Sequence, residues 1–189
     1  MTTQRGFSLI EVLIATVVLS IGVLGISGLL TVSRQSTFDA VQRSTAAEMA
    51  YALLEQMRSN DSELEFYVTA GTLGRGSRGA EPAACNDPNN PCESDAFAAH
   101  KLWEWERMLD AGAESTAAGG SGGLVSPSAC VDGPVDGSAG EYVVAVAWRG
   151  RIGLSDPTVS DCGAGSGLYG DNDEFRRVVV IRSYMDPQI

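Results

Sequence analysis

Residues 5 to 31 read RGFSLIEVLIATVVLSIGVLGISGLLT, and the remainder of the chain is arranged around them. Between Phe7 and Leu30, about 24 residues carry one ionisable side chain, Glu11, and at about 1.5 Å per residue such a helix spans the hydrocarbon core of a bilayer. Glu11 needs its own explanation, because a carboxylate well inside a bilayer costs roughly 2.5 to 3.5 kcal/mol even on the lenient insertion scale. A cut after Gly6 would supply a partner: the new ammonium at Phe7 would stand four residues before Glu11, on the same helical face. A carboxylate early in a helix is also favoured by the macrodipole.

These residues carry a resemblance. Gly6-Phe7-Ser8-Leu9-Ile10-Glu11-Val12-Leu13 resembles the class III signal of type IV prepilins and the related pseudopilins. The resemblance implies a leader, residues 1 to 6, that a prepilin peptidase removes between Gly6 and Phe7. It also implies N-methylation at Phe7, and an assembly role for Glu11 in aligning each incoming subunit with its neighbour. The leader would lie in the cytoplasm and everything beyond the helix outside it; charge alone orients the chain weakly, with Arg5 set against Arg34. The competing readings are a signal-anchor with a stray Glu and a secretory signal cut near Gly25-Ile26-Ser27. Against them, the leader is too short and too weakly charged for a secretory n-region, and no A-x-A site is present.

Composition bounds the rest. At 189 residues, one compact domain plus the anchor is the natural division. Acids and bases balance over residues 1 to 58, so the net charge of -11 belongs to residues 59 to 189. That region lacks the Lys/Arg surplus that phosphate binding needs, so nucleic acid is not an expected partner. Most of the 22 Gly also fall there, which predicts a loop-rich domain. The four cysteines, Cys85, Cys92, Cys130 and Cys162, lie beyond the helix in an oxidising compartment, where an even count favours disulfides. Of the three connectivities, Cys85 with Cys92 and Cys130 with Cys162 are favoured, the first closing the turn CNDPNNPC and the second a Gly-rich excursion. On the chain-entropy account these loops are worth roughly 2.5 and 3.7 kcal/mol. Zinc competes poorly, since the spacings are not C-x-x-C and the single His is His100; no metal or other cofactor is expected.

Downstream of the anchor, no Pro or Gly occurs from Gln35 to Arg58, and Phe38, Val41, Thr45, Met49, Leu53 and Met57 recur at helical spacing. The membrane helix is therefore expected to continue outside, with Thr37, Ser44, Glu48, Tyr51 and Glu55 on a more polar arc. Gly22, Gly25 and Gly28 are either a soft point in the anchor or sites of close helix packing. The segment STAAEMAYALLEQMRSN, residues 44 to 60, resembles the corresponding part of minor pilins of the PilV kind.

Residues 71 to 96 read as loop. Gly74, Gly76 and Gly79 fit G-x-G-x-x-G, but no strand precedes and no helix follows, so a dinucleotide site is rejected. In DAFAAHKLWEWERMLD, Ala98, Leu102, Trp105 and Leu109 mark one face of a short helix, with Asp95 as its cap and His100 on its polar side. Its two Trp read as packing anchors, and a Trp helix at this place also fits the PilV resemblance. AGGSGG, residues 118 to 123, is a connector. Two strands follow: Tyr142, Val144, Val146 and Trp148 give one a large apolar face, and Arg176 to Tyr184 form the other, with charges at both ends of an apolar centre. Asp171, Asp173 and Glu174 are candidate calcium ligands without EF-hand spacing, and a solvated acidic turn explains them as well.

The expected fold is α+β and pilin-like: a long N-terminal transmembrane helix packed on an antiparallel β-sheet with Gly-rich loops. Residues 7 to 58 form the helix, with about 7 to 31 in the membrane and 32 to 58 amphipathic, and residues 59 to 189 form a periplasmic globular domain. No nucleophile and base pair is evident, so no enzyme is expected. The resemblance implies a minor pilin that joins other minor pilins and the major pilin. It would work on an inner-membrane assembly platform and support fibre priming or capping, adhesion and twitching motility. A minor pseudopilin of type II secretion, or a membrane-anchored calcium- or ligand-binding module, are the alternatives.

Overall fold

The computed structural model describes residues 6, 8–83, 85, 91–111, 123–154 and 158–187. The chain is α+β, in the order α1 (Leu9–Ser59), a 3-10 turn (Asp61–Glu63), α2 (Leu64–Val68), α3 (Ser94–Ala111), β1 (Ser128–Asp132), β2 (Gly140–Arg149) and β3 (Arg176–Met185). It divides into two units, residues 1–38 and 39–189. In the first, α1 carries exposed apolar side chains around its whole circumference, and it is long and apolar enough to cross a membrane. Such a surface is suited to lipid or to other helices, not to water.

The second unit is a head built on a three-stranded antiparallel sheet, ordered β1-β2-β3. Strand β2 is central because both its faces are apolar: Tyr142, Val144, Val146 and Trp148 join the main core, while Ala145 and Ala147 are buried on the other face. The core is closed by α3 through Ala98, Leu102, Trp105 and Leu109, at the spacing of one helical face. Trp105 is fully buried, and its Nε1 donates to the carbonyl of Met49 in α1 at 3.0 Å. The cap of α3 differs from expectation. The helix starts at Ser94, Phe97 donates to the Glu93 carbonyl, and Asp95 lies in the first turn with its carboxylate on the amide of Ala96.

The buried face of α1 is also corrected. Leu53 and Met57 are in the core as the stripe requires, but upstream the buried positions are Gln42, Ala46 and Ala50, whereas Val41 is 46% exposed and Thr45 and Met49 are half-buried. The small side chains of Ala46 and Ala50 let the helix backbone approach its cover, and Gln42 is admitted because its Nε2 donates to the carbonyl of Gly123 at 3.1 Å. Close packing therefore selects an arc about one residue round from the bulkier stripe.

Between β2 and β3 the chain makes a long excursion that returns over the second face of the sheet. Arginines hold it there. Arg176 is 1% exposed, and its Nη1 donates to the carbonyls of Ser160 and Cys162, each at 2.8 Å. Arg149 donates to the carbonyl of Leu168 and lies 4.5 Å from the Phe175 ring centroid, and Arg177 donates to the carbonyl of Ile152. Cys162 is joined to Cys130 of β1 and Cys85 to Cys92.

Candidate assembly site

Ser8 sets the start of the anchor helix. It stands immediately before α1, its carbonyl accepts from the amides of Glu11 and Val12, and its Oγ accepts from the Glu11 amide at 3.3 Å. This is half of a capping box, S-x-x-E, a pattern visible in the sequence as Ser8-Leu9-Ile10-Glu11. It fixes Glu11 as the third residue of the first turn, where the orphan amides and the macrodipole favour a carboxylate. Gly6 lies two residues before the cap, exposed and outside the helix, with open space where a side chain would project. Phe7 and the leader residues 1–5 lie outside the described residues. Glu11 sits beside the small Ala15, bordered by Ile10, Ile14, Val18 and Leu19. Glu11 and Ala15 thus line a shallow concavity in an otherwise bulky apolar surface.

Along the anchor, the remaining polar side chains are satisfied within the helix. The hydroxyls of Thr16, Ser20, Ser27 and Thr31 donate to the carbonyls of Leu13, Thr16, Val23 and Ser27. Such bonds make hydroxyls tolerable in hydrocarbon, which leaves Glu11 as the anchor's one costly group. α1 passes Gly22, Gly25 and Gly28 without a break.

The head contains an arrangement that the sequence did not reveal. Glu106 and Asp110, one turn apart on α3, accept the amides of five consecutive loop residues. Glu106 Oε1 takes Gly74 at 2.7 Å and Ser77 at 3.0 Å, and Oε2 takes Arg78 at 2.8 Å; Asp110 takes Arg75 at 2.7 Å and Gly76 at 2.8 Å. Ser77 Oγ adds a further bond to Glu106. The loop's left-handed residues, Gly74, Arg75 and Gly76, turn these amides inward, and at Gly74 a Cβ would come 2.7 Å from the Pro127 carbonyl oxygen. The G-x-G-x-x-G stretch is thus an anion nest filled by the chain's own carboxylates. Burial pushes the Glu106 carboxyl up, yet the Ser77 hydroxyl and the three amides outweigh it and hold Glu106 below the usual carboxylate range.

The other candidates separate. Asp173 Oδ2 accepts from the Gly165 amide at 2.7 Å and Glu174 Oε2 from the Asn172 amide at 3.1 Å, so these carboxylates brace the excursion, and no group of three potential metal ligands occurs among the described residues. His100 is not on an open polar face: it is 9% exposed, with Nε2 3.3 Å from Glu104 and its ring stacked near Trp103. Trp103 is half-buried and donates to the Gly79 carbonyl, so the two Trp pack on different surroundings.

No curated protein and no solved structure matches the chain. Residues 1–27 match the family described as Prokaryotic N-terminal methylation motif, a match that covers Gly6, Ser8 and Glu11 and supports a type IV pilin-like structural subunit, processed by a prepilin peptidase and assembled with other pilins.

Proposed function

We propose that this chain is a minor pilin of the type IV pilus, of the PilV kind, held in the inner membrane by α1 with its head in the periplasm until it enters the fibre. The peptidase would cut between Gly6 and Phe7, Phe7 would be methylated, and Glu11 would pair with a neighbouring subunit's terminal ammonium. It would join other minor pilins and the major pilin on the assembly platform, priming or capping the fibre and so supporting adhesion and twitching motility. The observation that carries the reading is the placement of Glu11: in the first turn of a helix that starts at Leu9, three residues past an exposed non-helical Gly6, on an anchor with no other ionisable group before Arg34.

The test separates two steps. Gly6→Leu is expected to block processing, because this peptidase requires a small residue before the cut. Glu11→Ala is expected to be processed and stable in the membrane yet depleted from fibres, because the attraction across a low-dielectric bundle is gone. Immunoblots of membrane and sheared-fibre fractions, with the mature N-terminus sequenced, give the answer. Normal amounts of processed Gly6→Leu protein, or unprocessed Glu11→Ala protein, would overturn the roles. Deleting the gene and scoring surface pili against secreted enzymes separates this reading from a type II secretion pseudopilin.

A further inference from the structure

The two edges of the sheet differ. On the β1 side, Leu73 and Ala129 exchange both backbone bonds, at 2.7 and 2.9 Å, which occupies that edge at Ala129. The same exchange fixes the parity of the whole ladder. Because Ala129 spends its amide and carbonyl on Leu73, Ser128, Cys130 and Asp132 bond to Ala147, Ala145 and Val143 of β2. Val144 and Val146 must then bond to Ile181 and Val179 of β3. Val178, Val180, Arg182 and Tyr184 therefore turn their amides and carbonyls away from β2.

Nothing described covers them. Beyond the ladder, the contact to these four backbone positions is the Ser183 hydroxyl on the Tyr184 carbonyl at 3.4 Å. Native sheets blunt an open edge with Pro, a bulge, a short strand or charged side chains, and β3 keeps its charges away from its centre. β3 has ten residues in continuous register with β2, no Pro, no Gly and an apolar centre from Val178 to Ile181. Tyr184, 68% exposed, stands on the uncovered part of the sheet. Of the charges on β3, Arg176 and Arg177 are spent on the excursion and Arg182 stands exposed beside the edge, with no acid on the strand. On its occupied side, Arg182 meets Glu141 of β2 at 3.3 Å.

We propose that the outer edge of β3 receives an extended strand from a different subunit of the same assembly, apolar at its centre and acidic beside Arg182. Backbone bonds would supply affinity and the flanking charges the register. This rests on the assembly reading given above. A second copy of this chain is a poorer fit, since its β3 would bring no acid to meet Arg182, and its β1 is already bridged at Ala129 by Leu73.

The test is hydrogen exchange at single-amide resolution on the full chain, solubilised in detergent and again within fibres or minor-subunit complexes from native cells. The amides of Val178, Val180, Arg182 and Tyr184 are expected to exchange rapidly in the isolated chain and on the order of a hundredfold more slowly in the assembly, with Val179 and Ile181 protected in both. Val180→Pro removes an outward amide and spares the ladder, so it is expected to fold with both disulfides and yet be depleted from the assembly. If that variant misfolds, Arg182→Glu carries the test, with the same depletion expected. Equal exchange in both states, protection already present in the dilute isolated chain, protection that grows with its concentration, or normal incorporation of the variant would each overturn the proposal. A chain that enters no assembly sinks the functional reading and this proposal together, whereas normal entry with an unprotected edge sinks this proposal alone.

Discussion

Glu106 shows how one side chain organises a loop. Its depressed ionisation links loop and pH: the stabilisation is fully present above the unfolded carboxylate range, near pH 4.3, and is lost as pH falls through the lower folded value. Glu106→Gln keeps the shape but exchanges acceptor capacity and charge for an amide. It is expected to destabilise the head by about 1 to 3 kcal/mol at neutral pH and to flatten the acid limb of stability against pH. Chemical denaturation from pH 3 to pH 7 measures both, and an unchanged acid limb would show that Glu106 is not the linked group. Asp110→Asn, which leaves one acceptor oxygen for the amides of Arg75 and Gly76, is expected to act more weakly because its site is less buried.

Among the elements, α3 makes the sharpest prediction. Trp105→Ala removes a fully buried indole and its bond to Met49, and a cost of about 3 to 5 kcal/mol is expected, while Trp103→Ala, at a half-buried site, should cost much less. Thermal unfolding of the two variants checks the order, and equal shifts would contradict the packing described. Removing the Cys130–Cys162 bond as a double Ala variant is expected to cost about 3.7 kcal/mol and to open the excursion to protease before the sheet is lost. The elements legible from the sequence were those whose periodicity is local: the face 98-102-105-109 of α3 and the alternation of 142 to 148. Strand β1 escaped because SACVD is short and mixed, and its extended form comes from pairing with β2. The arc of α1 escaped because hydrophobic spacing marks bulk, whereas Ala46 and Ala50 decide the close approach. The carboxylate clamp escaped because Glu106 and Gly74 are neighbours in space alone. In the candidate assembly site, Gly6 and Glu11 stand out in the sequence itself, and Ser8 completes the pattern S-x-x-E.

At the scale of the whole molecule, the head takes residues 39–59 of α1 into its core through Ala46, Ala50, Leu53, Leu54 and Met57. A protein beginning at Asp39 is therefore expected to fold cooperatively with both disulfides, and one beginning at Asn60 to lack a stable core. Circular dichroism and thiol counting distinguish them, and a stable domain from Asn60 onward would show that the helix is dispensable to the head. The cross-link between Cys130 and Cys162 has a mechanical consequence for a subunit under tension. Its sequence separation is 32 residues, and at about 3.5 Å per extended residue that loop represents roughly 110 Å of chain. When the ends are pulled, the load passes through the sulfur bridge and bypasses residues 131–161, with β2 and the first half of the excursion among them. Even a head torn from its fold would keep that slack in reserve, unable to pay it out until the bridge is reduced.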